Sequence, residues 1–269
     1  MIAPLALISV VVAIVVTIVR IPVSQRDVAW LAGSTPVPSD EAAVYSRYLR
    51  RHRVHRLVGG VFGLALAVVV GLSWFGTVTI GIRMGNPLGD LLFCGLAGVL
   101  VGALSAESFR LGQSRSAVVA ASLEVRGSRV PARPVRVARA VVLASLVLGV
   151  LVLAIGGAPA PLAAAVVGLV VALMGEATRS AVTARRRPLL SQRAHRVDDR
   201  IREFATGSVS RLQLAAAILT VGWTLALVPP IENGLLMAVR LVALLAALVS
   251  ALVFLHGAAP RPPRRWAPA

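Results

Sequence analysis

The sequence predicts an all-α membrane protein, a polytopic bundle of about seven transmembrane helices. The amino end is expected outside and the carboxyl end inside, with short amphipathic or basic helices on the cytoplasmic face. Three observations carry this. Apolar residues make up 57% of the 269 and mean hydropathy is +0.83, which excludes an ordinary water-facing surface. Uncharged runs long enough to cross a bilayer alternate with charged segments. Arginine supplies all 28 basic residues and falls almost wholly in every second gap between those runs.

The stretch from Ala140 to Ala177 shows the pattern most clearly. Residues 140–155 and 162–175 are uncharged, and Gly156, Gly157, Pro159 and Pro161 break the chain between them. Arg133, Arg136 and Arg139 stand before the first leg; Arg179, Arg185, Arg186 and Arg187 follow the second. Two apolar legs joined by so short a turn must cross and return. The arginines put both ends on the cytoplasmic side.

Taken in order, residues 1–19 form a first transmembrane helix. No basic residue precedes its apolar run and no small-residue cleavage site follows it, so a retained helix is expected rather than a cleaved leader. Residues 20–56 form a basic cytoplasmic segment that opens as a loop through Gly33, Pro36 and Pro38. Ser39, Asp40 and Glu41 then cap a helix whose apolar face holds Tyr45, Tyr48 and Leu49. Arginines crowd the rest of it, so this helix is expected to lie on an anionic membrane surface before the chain enters the bilayer.

Residues 57–106 form a second transmembrane hairpin, with spans near 57–75 and 88–106. Its external stretch, 76–87, carries the strand-like Thr77-Val78-Thr79-Ile80 and a turn at Asn86-Pro87. Gly59 and Gly63, like Gly98 and Gly102, are four apart, a spacing that lets helices approach closely. Residues 107–139 are a basic cytoplasmic segment in which Pro131 and Pro134 are expected to stop any helix ahead of the hairpin at 140–175. Residues 176–211 are a charged cytoplasmic segment broken at Pro188, with a helix expected over 191–204. A last hairpin occupies 212–256, turning at Pro229-Pro230 and Asn233-Gly234, and a basic tail, 257–269, ends inside.

Charge supports this layout. The segments assigned to the inside hold 26 of the 28 arginines and 9 of the 11 acids, hence the whole net charge of +17. Only Arg83, Arg240, Asp90 and Glu232 fall outside, and they sum to zero. A pI near 11.9 suits a nucleic-acid binder, but only 4% of residues are aromatic and the arginines sit between apolar runs, so no nucleic-acid partner is expected.

Candidate chemistry is sparse. Arg240 lies about five residues into its span, roughly 7 Å deep, where it would snorkel outward or pair with Asp90 or Glu232. Glu107 and Glu176 each end an inward-going span with an arginine three residues on, Arg110 and Arg179, spaced for interfacial ion pairs. These two glutamates suggest a repeat offset of 69, whereas Arg115-Ser116-Ala117-Val118 and Arg179-Ser180-Ala181-Val182 imply 64, so no repeat is assigned. His52 and His55 share a helix face but lack a carboxylate or cysteine to complete a metal site, and are expected to be solvated or to face headgroups. Arg50, Arg51, Arg185, Arg186 and Arg187 are expected to attract anionic headgroups.

No phosphate loop, zinc-helix pair or nucleophile elbow occurs, so no cofactor or metal is expected. The lone Cys94 lies in an apolar run as a packing residue. The expectation is a non-enzymatic subunit or scaffold of the inner (plasma) membrane. Its partners would be lipids, with anionic headgroups among them, and a cytoplasmic or membrane protein. A permease for a small solute is the alternative.

Overall fold

The structure is a computed structural model. It describes residues 22–75, 87–108, 121–122, 132–183, 187–188, 192–229, 233–263 and 266, with backbone alone at 69–75, 87–90, 121–122, 132, 187–188 and 192–194. The expected first span, the external stretch 76–86, Arg110, Arg185, Arg186 and Glu232 lie outside the described residues.

Seven helices are described: α1 (Gln25–Ala32), α2 (Ser39–Phe75), α3 (Pro87–Ser108), α4 (Ala132–Ala154), α5 (Ala160–Thr183), α6 (Gln192–Leu227) and α7 (Gly234–Gly257). A two-residue antiparallel ladder, Ala121–Ser122 against Arg187–Pro188, is the one strand pairing among the described residues. Five helices, α3 to α7, are long and apolar enough to cross a membrane, the architecture of a multi-pass helical membrane protein.

The helix ends differ from the sequence reading in instructive ways. The segment expected to lie flat on the membrane is instead the first half of α2, a single 37-residue helix that continues into the apolar run. The reason is that nothing between Ser39 and Phe75 breaks it. Its apolar face is also covered: Tyr45, Tyr48 and Leu49 are buried against Val28 and Leu31 of α1 and Val197 and Ile201 of α6. Burying such side chains away from water stabilises by about 1.5–3 kcal/mol each, so this face binds protein rather than lipid.

Likewise, the helix expected over 191–204 and the span starting at 212 form one 36-residue helix, α6. Thr206 and Ser210 between them return hydrogen bonds to their own helix, to the Arg202 carbonyl at 3.0 Å and the Thr206 carbonyl at 2.9 Å, and so do not interrupt it. Pro134 does not stop α4, which begins at Ala132; in a helix's first turn a proline has no intrahelical N–H bond to lose.

Helix α1 was not legible as a helix. Its signal is a capping box: the Ser24 hydroxyl accepts from the Asp27 amide at 3.2 Å while the Asp27 carboxylate accepts from the Ser24 amide at 3.0 Å. Gly33, with φ of 70°, ends it in the left-handed conformation that glycine adopts freely.

Within the bundle, α6 is the central element. Of its apolar stretch 61% is buried, against 11% for α7, whose buried residues are Ala247, Ala251 and Leu255. Phe93, Leu100 and Leu104 of α3 meet Val209, Leu212 and Leu219 of α6 and Leu255 of α7, and Ala138 and Val142 of α4 meet Ala217. The α2–α3 pair is joined backbone to backbone through the spaced glycines. A Cβ at Gly59 would strike the Gly98 carbonyl, one at Gly98 the Gly59 carbonyl, one at Gly63 the Cys94 carbonyl and one at Gly102 the His55 carbonyl.

Candidate functional site at the charged end of the bundle

The charged ends of six helices gather at one end. Tyr48 and His52 in the first half of α2 meet Glu107 near the end of α3. Arg139 near the start of α4 meets Glu176 late in α5. Helices α5 and α6 run antiparallel, since Gly168 lies against Thr220 and Gly175 against Gln213. The last carbonyls of α7 receive Arg56 and Arg211.

At the centre of this end is a buried carboxylate. Oε1 of Glu107 accepts from the Tyr48 hydroxyl at 2.7 Å and lies 2.7 Å from Nε2 of His52. Tyr48, His52 and Glu107 are 1%, 0% and 2% exposed. Because a carboxylate oxygen only accepts, His52 carries its proton on Nε2. Nδ1 of His52 is buried without a partner among the described residues. Phe204 of α6 closes the site edge-on, its ring centroid 6.1 Å from Tyr48 and 6.3 Å from His52, with Trp30 behind it at 5.6 Å. Burial and the neighbouring Glu107 push the Tyr48 phenol well above its ordinary range, so it stays a donor.

His52 is therefore not solvated, as its sequence context suggested. The turn of α2 that buries Tyr45, Tyr48 and Leu49 carries His52 inward with them. Its neighbour His55 faces α3, where Nδ1 lies 2.9 Å from the Ser105 hydroxyl. That hydroxyl already donates to the Gly102 carbonyl at 2.8 Å, so His55 is the donor. The two histidines point to different partners, and no group of three or more metal-ligating side chains stands among the described residues.

The remaining ionisable groups tie elements together. Arg53 pairs with Asp27 at 2.7 Å and donates to the Pro22 carbonyl at 2.9 Å, docking α1 on α2. Arg56 donates to the carbonyls of Leu255 and Ala258 at 3.2 and 2.6 Å, Ser208 to Ala258 at 2.9 Å, and Arg211 to Gly257 at 2.6 Å. Guanidinium groups thus complement the negative end of α7. Arg26 reaches the Trp266 carbonyl at 2.9 Å, holding the tail against the same face.

Of the residues singled out in the sequence, Glu176 and Arg179 are brought together at 2.6 Å, and Arg139 joins them at 2.8 Å. Glu107 is brought to Tyr48 and His52, two partners that the sequence reading missed; Arg110 lies outside the described residues. Arg240 donates to the Ala226 carbonyl at 2.6 Å and the Pro229 carbonyl at 3.5 Å, so it caps the end of α6. Its proposed partners, Glu232 and the Asp90 side chain, lie outside the described residues.

Searches of protein-family models, curated proteins and solved structures return no match to this chain.

Proposed function

We propose that this chain is a non-enzymatic subunit or scaffold of the inner (plasma) membrane. It crosses seven times with the amino end out and the carboxyl end in, and its arginine-rich inner face engages anionic headgroups and a cytoplasmic partner. The observation that carries the reading is the gathering of charged helix ends at one end of the bundle, combined with a net charge of +17. Arginines near a membrane surface gain about 1 kcal/mol each from anionic lipid. The stretches read from the sequence as external, 76–87 and 229–234, contain only Arg83 and Glu232 as charged groups.

A permease reading draws on one observation. Thr206, Ser210, Gln213, Thr220 and Thr224 form a buried polar file along one face of α6, and Gln213 Oε1 and Thr224 Oγ1 lack partners among the described residues.

Reconstitution into nanodiscs of phosphatidylcholine, with and without phosphatidylglycerol, tests the headgroup reading. A higher melting temperature in the anionic discs is expected, and no difference would reject it. Orientation is tested with Arg186→Cys in a Cys94→Ala background: an impermeant thiol reagent is expected to label it only after the cells are opened. Labelling of intact cells would reverse the topology.

A further inference from the structure

We propose that Arg51 anchors a discrete phosphate-binding site at the charged end of the bundle. It takes the phosphate oxygens of a phosphate ester, supplied by an anionic lipid headgroup or by a free phosphate. The inference rests on the reading that this end meets an anionic layer.

Arg51 stands apart from the other described arginines. Arg53, Arg139, Arg179 and Arg202 have carboxylate partners, and Arg56 and Arg211 have carbonyls. The side chains of Arg133, Arg136, Arg196 and Arg261 make no hydrogen bond or ion pair among the described residues, but they are exposed, and water serves them. Arg51 is half-buried. Its Nε is enclosed without a hydrogen-bond partner, and its terminal nitrogens make no hydrogen bond or ion pair with any described residue. A guanidinium partly removed from water in this way favours an anionic partner.

The surroundings fit such a partner. The guanidinium carbon lies 5.8 Å from the centroid of the Tyr48 ring, and Tyr48 is itself fixed by Glu107 and Phe204. The cation–π contact with a locked ring keeps the guanidinium beside it, and a fork held there can make two parallel N–H bonds to a phosphate. Glu107 acts on Arg51 through space, but its carboxylate is already bonded to Tyr48 and His52. One turn on, His55 has its pKa lowered by burial and by Arg51 and His52, so at neutral pH it adds a polar edge without further charge.

Depth fits as well. Arg51 precedes the uncharged run that opens at Leu57 by six residues, roughly 9 Å of helix, where headgroup phosphates lie.

The test uses the full-length protein in neutral detergent. Phosphatidylglycerol, phosphatidylcholine and inorganic phosphate are the probes, read by native mass spectrometry and thermal shift. Arg51→Gln is expected to weaken phosphatidylglycerol binding on the order of ten-fold, the loss of a charge-assisted bond. Arg51→Lys is expected to restore it only in part, because an ammonium lacks the fork. Arg196→Gln, the exposed control, is expected to change it by less than about two-fold.

Should Arg51→Gln fail to fold, Arg51→Lys carries the comparison, since it keeps the charge and most of the stem. Equal losses in the Arg51 and Arg196 variants, or full rescue by lysine, would overturn the site while leaving general headgroup attraction intact. Equal wild-type binding of the two lipids, with no binding of phosphate, would overturn the site and the headgroup reading together. Displacement of phosphatidylglycerol by millimolar phosphate assigns the site to free phosphate, and resistance to it assigns the headgroup.

Discussion

Nε2 of His52 and Oε1 of Glu107 lie 2.7 Å apart with both side chains closed to solvent, joining residues 55 positions apart on two different helices. Breaking a buried pair leaves the surviving partner unsatisfied, at a cost of about 3–5 kcal/mol. Glu107→Ala is therefore expected to be strongly destabilising, and Glu107→Gln less so because it keeps an acceptor for Tyr48 or His52. A double-mutant cycle between Glu107→Ala and His52→Ala, followed by unfolding in detergent micelles, should show coupling above about 1 kcal/mol. Additive effects would mean that the two groups do not act as a pair.

The glycine contact between α2 and α3 gives a second prediction. Gly98→Ala forces a methyl into the Gly59 carbonyl, with backbone rather than a flexible side chain in the way. A loss of about 1–3 kcal/mol is expected, typical of overpacking. Gly207→Ala in α6 meets nothing within 4 Å and should gain up to about 1 kcal/mol from helix propensity. Melting temperatures that move together in the two variants would contradict the packing described.

Acid sensitivity follows from Asp27 and His55. Burial raises the Asp27 carboxyl, but the Arg53 guanidinium and the hydrogen bonds from Ser24 outweigh it and hold the group below its ordinary 3.8. Burial, with Arg51 and His52, holds His55 below its ordinary 6.5. Both groups bind protons more weakly in the folded state, so stability rises with pH across each titration. The His55 contribution is complete above about pH 6.5 and fades as pH falls through the folded value; that of Asp27 fades below about pH 3.8. Melting temperature should decline in those two windows, with His55→Gln flattening the first and Asp27→Asn the second. An unchanged slope in either variant would refute its assignment.

Thr224 separates the scaffold from the permease reading. Its hydroxyl is 0% exposed and without a partner among the described residues, a situation that costs about 1–3 kcal/mol. In a solid scaffold, Thr224→Val keeps the shape, removes that cost and should stabilise by about 1 kcal/mol in a thermal melt. A less stable valine variant would point to a polar occupant at that position and favour the permease.

Much of the fold was legible locally. Apolar run length and the Gly156 to Pro161 break set the hairpin of α4 and α5, because a backbone in lipid must satisfy its own hydrogen bonds within a helix. The arginine gaps marked which helix ends belong together. The i, i+3 spacing placed Glu176 beside Arg179, since that contact lies within one helix. The candidate site was less legible. His52 looked like one more polar residue among arginines, and Glu107 looked like the partner of the nearest arginine in sequence.

The sequence by itself determined the apolar runs of α3 to α7 and the gathering of arginine into the gaps between such runs, both of which follow from composition along the chain. Only the tertiary structure decided that α2 and α6 run unbroken into a packed end, that the Tyr48 face meets protein instead of lipid, and that Glu107 is shared by Tyr48 and His52. The physical reason is that these contacts depend on the rotation and depth of one helix against another. Backbone approach at Gly59 and Gly98 and side-chain packing around Phe204 set those quantities, and neither leaves a period in the sequence.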